Sequence, residues 1–429
     1  MITRSHGPGS AILFPSALLV MALSFLLPAC LLPAGRGLFW VLGSAAFLLF
    51  AVTPLLAEKM GLTLDRIIFS LIIILVGLGL SLLGRLQIMN GNLGSVALRQ
   101  LAWLPLGLIA MFAGLYVGRS YLTLCHYRYL ILSVALAIMA LTIPFGTVIG
   151  GSRAWLNLGI LHVQPSEFAR TFLIFYLASY LGQYQPLLRA TRGQSLPLWK
   201  SRWLLGPVLS MWSLSILVLI FQRDLGAAVL YYAAFLIVLY LASGKAKYVM
   251  VGVLLGMSGC LTAAVLLPYV KTRFLVWLHP LSLSSGPGYQ SARSLYALAA
   301  GGFFGLGPQG GLPGAIPAVQ TDLVFAALGE EFGLLGGLAV LLLFLALVVR
   351  GLHLSLRCPD RVGYLMIAGL VLTFGVQVLL IVSGTIGLLP LTGVTLPLIS
   401  YGGSSLVATL FYLGIISGAG NRGRPGLAD

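Results

Sequence analysis

The sequence predicts an all-α fold, a polytopic transmembrane helix bundle of about 12 spans, and three observations carry that expectation. Of 429 residues, 59% are apolar and only 8% are charged, against roughly 25% charged in a soluble domain. The apolar residues fall in runs of membrane-crossing length, bounded by charge, Gly or Pro. The polar residues are too few to cover a water-facing exterior, so lipid must be the solvent for most of the surface.

The first run, 11–34, follows Arg4, and its Leu27-Pro28-Ala29-Cys30 faintly resembles a lipoprotein cleavage site. In a chain with many later spans, a retained first helix is the expectation. Further spans are expected near 37–57, 66–84, 97–118, 128–149, 168–184, 203–221, 226–243, 248–270, 323–349, 363–385 and 397–418. The organisation that follows is an N-terminal group of helices, 1–120, that includes two extra spans, and a core, 121–429, with one large structured outer loop, 271–321. The middle of that loop, Tyr289 to Phe304, reads as a short amphipathic or re-entrant helix. The GLGPQGGLPGAIP run after it cannot be regular helix, because Gly and Pro interrupt it.

The net charge is +16. In a soluble protein that would suggest nucleic acid, but here it reads as positive-inside topology, and nucleic acid is dropped as a partner. Most of the 25 basic residues fall on one side if both termini are cytoplasmic, and the basic stretch Arg189 to Arg202 gives the strongest vote. Cys30, Cys125, Cys260 and Cys358 are far apart and show no CxxC pairing, so neither a disulfide framework nor a thiolate metal site is indicated.

Topology does not explain the bases left on the outside. Arg153, Arg170, Arg223, Lys271, Arg273 and Arg293 lie in or beside outer turns, where an anionic ligand could be their partner; snorkelling to lipid headgroups is the bland alternative. The chain has nine carboxylates. Glu58, Asp65, Asp360 and Asp429 are placed in cytoplasmic loops or the tail. Glu167, Asp224, Asp322, Glu330 and Glu331 sit at or inside span ends, where an unpaired charge costs about 2.5 to 3.5 kcal/mol or more at mid-membrane. A structural ion pair is at least as good a reading as catalysis for Glu167, Glu330 and Glu331, and a local pair with Arg223 is the bland account of Asp224. Asp322 differs, because it opens a span directly after the flexible loop and can face an aqueous cleft. A helix N-terminal position alone would also favour an Asp there.

Four ordered strings resemble one family. GSRAWLNLGILHVQPSEFART, QRDLGAAVL, GYQSARSLYALAAGGFFGLG with QTDLVFAALGEEFGLLGGL, and GLLPLTGVTLPLISYGGSS are similar to the motifs of the SEDS proteins, the peptidoglycan glycosyltransferases of cell elongation, division and sporulation. The resemblance spans about Arg128 to Gly418. It implies an enzyme of the bacterial cytoplasmic membrane that polymerises lipid II, the undecaprenyl-pyrophosphate-linked disaccharide-pentapeptide, at the outer face. It also implies a class B penicillin-binding transpeptidase as partner.

In that pattern the Asp of the Thr-Asp pair after the large loop is catalytic, and it falls on Asp322. The other matching positions are Arg153, Trp155, Gln164, Ser166, Glu167, Gln222, Asp224, Gly226, Gln290, Glu330, Glu331, Pro390, Ser400, Gly402, Gly403 and Ser404. Substrate binding is expected of Arg153, Gln164, Ser166, Glu167, Gln222, Asp224, Lys271, Arg273, Gln290, Arg293, Thr321, Ser400 and Ser404. The sequence departs from the family where Gly314, Ala318 and Gln320 replace two carboxylates and a histidine, where Arg223 replaces a proline, and in its two extra N-terminal spans. It looks like a divergent member. No cofactor follows from the residues, and a divalent cation such as Mg2+ is left open.

The chemistry fits a lone carboxylate. Transfer from a sugar pyrophosphate needs a base for the incoming hydroxyl, whereas the leaving pyrophosphate can depart unprotonated if its charge is held. Glycoside hydrolysis needs two carboxyls, because there an alkoxide leaves. Asp322 is therefore expected as the base, with Arg153, Lys271, Arg273 and Arg293 as pyrophosphate holders. The rival readings are a lipid-linked precursor flippase, which would line a path through mid-membrane with charge, and a non-catalytic scaffold for a transpeptidase.

Overall fold

The computed structural model describes the chain except for residues 1–7, 33–34, 90–95, 150, 158, 160–161, 190–211, 214–215, 218–219, 309 and 422–429. The longer helices among the described residues are α1 (Pro8–Leu31), α2 (Arg36–Lys59), α3 (Arg66–Met89), α4 (Val96–Arg119), α5 (Arg128–Phe145), α6 (Pro165–Arg189), α7 (Leu225–Ser243), α8 (Ala246–Leu266), α9 (Pro268–Leu278), α10 (Tyr289–Gly301), α11 (Val324–Leu356), α12 (Arg361–Thr385) and α13 (Gly403–Gly420). Among the described residues ten helical segments are long and apolar enough to cross a membrane. The protein is a multi-pass membrane protein. Of the twelve expected spans, α6 forms at 168–184 but is too polar to join those ten. The span at 203–221 lies largely outside the described residues, as does the basic stretch 189–202.

Several boundaries differ from the sequence expectation for identifiable reasons. The span expected at 248–270 stops at Leu266, because Pro268 opens a separate helix, α9, at its first position, where a missing N–H costs nothing. The last span starts at Gly403 rather than 397, since Leu398 takes φ 67, a left-handed conformation that ends regular helix before it begins. The expected helix in the long loop is present as α10, and the Gly/Pro run after it is irregular apart from one 3-10 turn, Pro313–Ala315.

The fold is also not purely helical. Between α5 and α6 the chain forms β1 (Thr147–Ile149), β2 (Ser152–Asn157) and β3 (His162–Val163), an antiparallel sheet in the order β1-β2-β3. No apolar/polar alternation of useful length marks these short strands, so the sequence shows only a turn there.

The chain divides into two compact units. The first holds 1–112, 263–350 and 377–413, and the second holds 113–262, 351–376 and 414–429. In the first, α1 and α2 pack on α3. The buried stripe Phe39, Leu42, Ala46, Phe50, Thr53 and Ala57 of α2 recurs every three to four residues, as one face of a helix requires. Asp65 caps α3 by accepting from Ile68 N–H at 3.1 Å and receives a two-pronged bond from Arg350 of α11 at 3.1 and 2.6 Å. In the second unit Asp360 caps α12 by accepting from Gly363 N–H at 2.8 Å and also accepts from the Tyr121 hydroxyl. These two carboxylates are therefore more than loop residues: each fixes where a helix starts.

The long loop is held to α11 by a break in that helix. Gly333 has φ 66 and ψ −166 within otherwise helical chain. Such a break frees two carbonyls before it and two amides after it, and none can stay unpaired in an apolar setting. The loop pairs all four. Leu306 and Gly307 donate to the carbonyls of Glu330 and Glu331 at 2.9 and 3.0 Å, and Leu334 and Leu335 donate to those of Gly302 and Phe303 at 3.0 and 3.2 Å. A Cβ on Gly333 would lie 2.3 Å from the Gly305 nitrogen. Gly333→Ala is therefore expected to destabilise the protein by at least about 1–3 kcal/mol, read as a lowered unfolding temperature in detergent.

Candidate functional site

Asp322 lies in the first unit, in the turn that ends the long loop, one residue short of Leu323 and two short of α11. Its own N–H donates to the Ala318 carbonyl at 3.1 Å, and the Thr321 and Leu323 N–H groups converge on the same oxygen at 3.0 and 3.3 Å. With the Thr321 hydroxyl also donating to it at 3.2 Å, four donors on one carbonyl fold residues 318–323 into a compact hook. Ala318 pays for the hook with φ 51, uncommon for a residue with a Cβ. The hook presents the Asp322 carboxylate at its end, half-buried. Burial pushes that carboxyl above the ordinary carboxylate range, while the adjacent Thr321 hydroxyl and the charge of Arg273 pull the other way.

Arg273 comes from α9, which is tied down at two points. Its Nη1 donates to the carbonyls of Leu391 and Thr392 at 3.2 and 3.0 Å, and Trp277 Nε1 donates to Gly387 at 3.0 Å. A guanidinium has five N–H donors, so anchoring through Nη1 leaves Nη2 and Nε to offer. Asp322 and Arg273 both approach Gly393. A Cβ there would lie 3.7 Å from Arg273 Nη2 and 3.8 Å from Asp322 Oδ2. The bare Cα of Gly393, at φ 75, thus floors a gap bordered by one carboxylate and one cation. A carboxylate and a guanidinium thus both border Gly393.

The other expected residues of this unit divide by exposure. Lys271 is exposed on α9, and Gln290 is the second residue of α10. Arg293 stacks on Tyr289, its guanidinium 5.2 Å from the ring centre and its Nε bonded to the hydroxyl at 3.1 Å. Ser400 and Ser404, expected to bind substrate, are buried. The Ser400 hydroxyl accepts from Leu396 N–H at 2.9 Å and donates to the Thr321 carbonyl at 2.6 Å. A hydroxyl already engaged as donor and acceptor inside the fold is not offered to a ligand, and Ser400 is reassigned to shaping the turn before Asp322.

The second unit gathers a separate group. Asp224 caps α7 by accepting from Ala227 N–H at 3.0 Å and also accepts from Gln164 Nε2 at 2.9 Å. Arg153, on β2, bonds through its N–H to Gln222 at 2.9 Å and through Nε to Gly146 at 3.2 Å. Gln222 donates to Met139 and Thr142 at 2.9 and 2.5 Å and is buried. Glu167 forms a buried pair with Arg170 at 3.0 Å, and Ser166 is buried next to it. Gln222 and Glu167 thus brace the strand and helix ends from buried positions, and Ser166 is buried there with them.

Sequence reasoning missed Arg85. The expected span stopped at 84 because a charge follows, yet α3 continues to Met89 and buries that arginine. Arg85 pairs with Glu331 at 2.8 Å and lies 4.9 Å from the centre of the Phe332 ring. The neighbouring Glu330 accepts from Leu312 N–H of the long loop at 2.9 Å. Both acidic residues after Asp322 are therefore structural, and the clue lay in an arginine inside an apolar run. Arg85→Met strands the Glu331 charge and is expected to cost about 3–5 kcal/mol. The double variant Arg85→Met/Glu331→Met should recover most of it, both read by thermal unfolding in detergent.

A family model described as "Cell cycle protein" and covering FtsW, RodA and SpoVE matches residues 57–422. The peptidoglycan glycosyltransferase RodA of Mycobacterium tuberculosis is 33% identical over 396 residues, 89% of this chain and 84% of that protein. Stage V sporulation protein E of Bacillus subtilis is 34% identical over 325 residues, 75% of this chain and 85% of its own length. Among solved structures, a chain of a peptidoglycan synthase complex that coordinates polymerization and crosslinking superposes with TM-score 0.68 at 28% identity, covering 83% of this chain and 98% of that one. The rod shape determining protein RodA of Thermus thermophilus gives 0.61 at 27%, covering 84% and 97%.

Proposed function

Because the chain belongs to the FtsW, RodA and SpoVE family of cell cycle proteins, we propose that it is a peptidoglycan glycosyltransferase that extends glycan strands from lipid II. The observation that carries this reading is the half-buried Asp322 carboxylate, facing Arg273 across the bare Gly393. Asp322 takes the proton of the acceptor sugar's 4-hydroxyl as that oxygen bonds to the donor's anomeric carbon. The anomeric carbon–oxygen bond to pyrophosphate breaks, and the lipid diphosphate leaves with its charge held by Arg273, with Lys271 and Arg293 as further cations on the same loop.

A positioned base contributes about 100- to 10,000-fold. Guanidinium contacts with developing phosphate charge gain strength where water is scarce. Among the described residues no three His, Cys, Asp or Glu side chains group as a metal cage. The donor set at Asp322 suits Mg2+ only as an ion shared with substrate phosphates, where it would neutralise their charge.

The lipid tail cannot cross water, so donor and growing strand enter between helices, with headgroups in the polar cleft. We place both termini in the cytoplasm and Asp322 at the outer face of the cytoplasmic membrane, in line with the positive-inside bias of the basic residues. The long loop offers a class B penicillin-binding transpeptidase a partner surface on the side where glycan is made.

Purified protein supplied with lipid II should form glycan strands, visible on a gel, and Asp322→Asn should reduce their rate by about 100- to 10,000-fold while leaving the unfolding temperature near wild type. Equal polymer from both proteins removes the assignment. The acid limb of the rate profile should lie above about 4, the ordinary carboxylate value: activity requires the deprotonated base and is lost as pH falls through its raised pKa. Gly393→Val fills the gap between base and cation and should abolish polymer; a variant with full activity would show that the reacting atoms pass elsewhere.

A further inference from the structure

Gln100 belongs to the apolar helix α4 and is buried, yet nothing in the reading of Asp322 uses it. Its amide makes two bonds to the turn that precedes α13. Oε1 accepts from Gly402 N–H at 3.1 Å, and Nε2 donates to the Ser400 carbonyl at 3.4 Å. Between these two anchor points lie the groups that grip the chain just before Asp322. Tyr401 N–H donates to the Gln320 carbonyl at 2.7 Å, and the Ser400 hydroxyl donates to that of Thr321 at 2.6 Å. One side chain on α4 therefore sets the residues that fix two successive peptides ahead of the base.

The turn does not hold this shape by local preference. Leu398 sits at φ 67, a conformation that costs a non-glycine residue about 1–3 kcal/mol and persists only where its surroundings over-determine it. The surroundings do so from two helices. On α3, a Cβ at Gly79 would come within 2.7 Å of the Ile399 Cα and carbonyl oxygen. On α4, the Trp103 indole lies so close to Gly403 that a Cβ there would be 2.1 Å from it. Packing presses the turn into place, and Gln100 adds paired polar contacts from α4.

We propose that Gln100 is a positioning residue for glycosyl transfer, holding turn 396–402 so that Ser400 and Tyr401 place the Asp322 carboxylate against the acceptor hydroxyl. It touches neither substrate nor reacting atoms, and its role rests on Asp322 being the base. Misplacing a reacting group by about 1 Å can cost on the order of 100-fold, so a loosened turn should appear in turnover rather than in binding.

The test is polymerisation of lipid II by Gln100→Met, which keeps side-chain volume and removes both bonds. The expected result is a kcat lower by about 10- to 100-fold with KM within about 2-fold of wild type. The acid limb of the kcat profile should also move down toward the ordinary carboxylate value as water reaches Asp322. A purely structural role would lower the active fraction and leave that limb where it was.

Ser400→Ala acts on the same turn, so the double variant should lose less than the product of the single losses. Unchanged kcat, an unmoved limb, or multiplicative losses would each overturn the proposal. Should Gln100→Met not fold, Gln100→Glu, which keeps the acceptor for Gly402, carries the same three readouts. Asp322→Asn in the same assay separates the two ideas. Wild-type polymer from it overturns the base itself, whereas its loss beside a fully active Gln100 variant overturns only the positioning role.

Discussion

A peptide group or charge carried into hydrocarbon must be paired by protein, because no water is there to pair it, and that constraint organises most of what is specific in this structure. The break at Gly333 would be untenable in lipid if the long loop did not supply two donors and two acceptors to the four groups it frees. The break and the loop are thus one device: the helix is interrupted so that the loop can be held, and the loop is held so that the interruption is stable. The same rule governs Arg85 with Glu331, Asp65 with Arg350, and Glu167 with Arg170, each pair buried or nearly so.

The same constraint also separates supporting residues from those open to substrate. A group whose hydrogen-bonding capacity is consumed within the fold, such as the Ser400 hydroxyl, stabilises geometry. Groups with capacity left over are the ones available for chemistry. Asp322 keeps its carboxylate at the end of a backbone hook whose bonds involve main-chain atoms. Arg273 uses one nitrogen for anchoring and retains others. The family's polar motifs therefore mix two populations that are indistinguishable as letters. The motif serine at 400 and the motif aspartate at 322 lie one hydrogen bond and one residue apart, yet only one of them faces the gap at Gly393.

The candidate site was partly legible in the sequence. Asp322 stood out because an ionisable residue at a span end, after a loop too broken to be helix, has few structural explanations. Arg273 was legible as a base without a topological reason to be there. Gly393, Gln100 and Arg85 were not. A glycine in a Gly-rich segment, a glutamine in an apolar helix and an arginine at a span boundary each have common bland meanings. Only the neighbours they meet, hundreds of residues away in the chain for Gln100, give them a role. The sheet of β1 to β3 escaped notice for a related reason, since strands of two to six residues are defined by their pairing and carry too little periodicity of their own.

What the sequence determined by itself was the solvent and the inventory: lipid around most of the chain, helices wherever apolar runs reach membrane length, and most charges near their ends. These follow from composition and local order, because transfer into hydrocarbon depends on each segment's own side chains. Tertiary structure decided which charges are neutralised, which glycines are contacts and which polar side chains remain free, because pairing depends on distance between segments rather than on either segment alone. The placement of one carboxylate beside one guanidinium belongs to that second class.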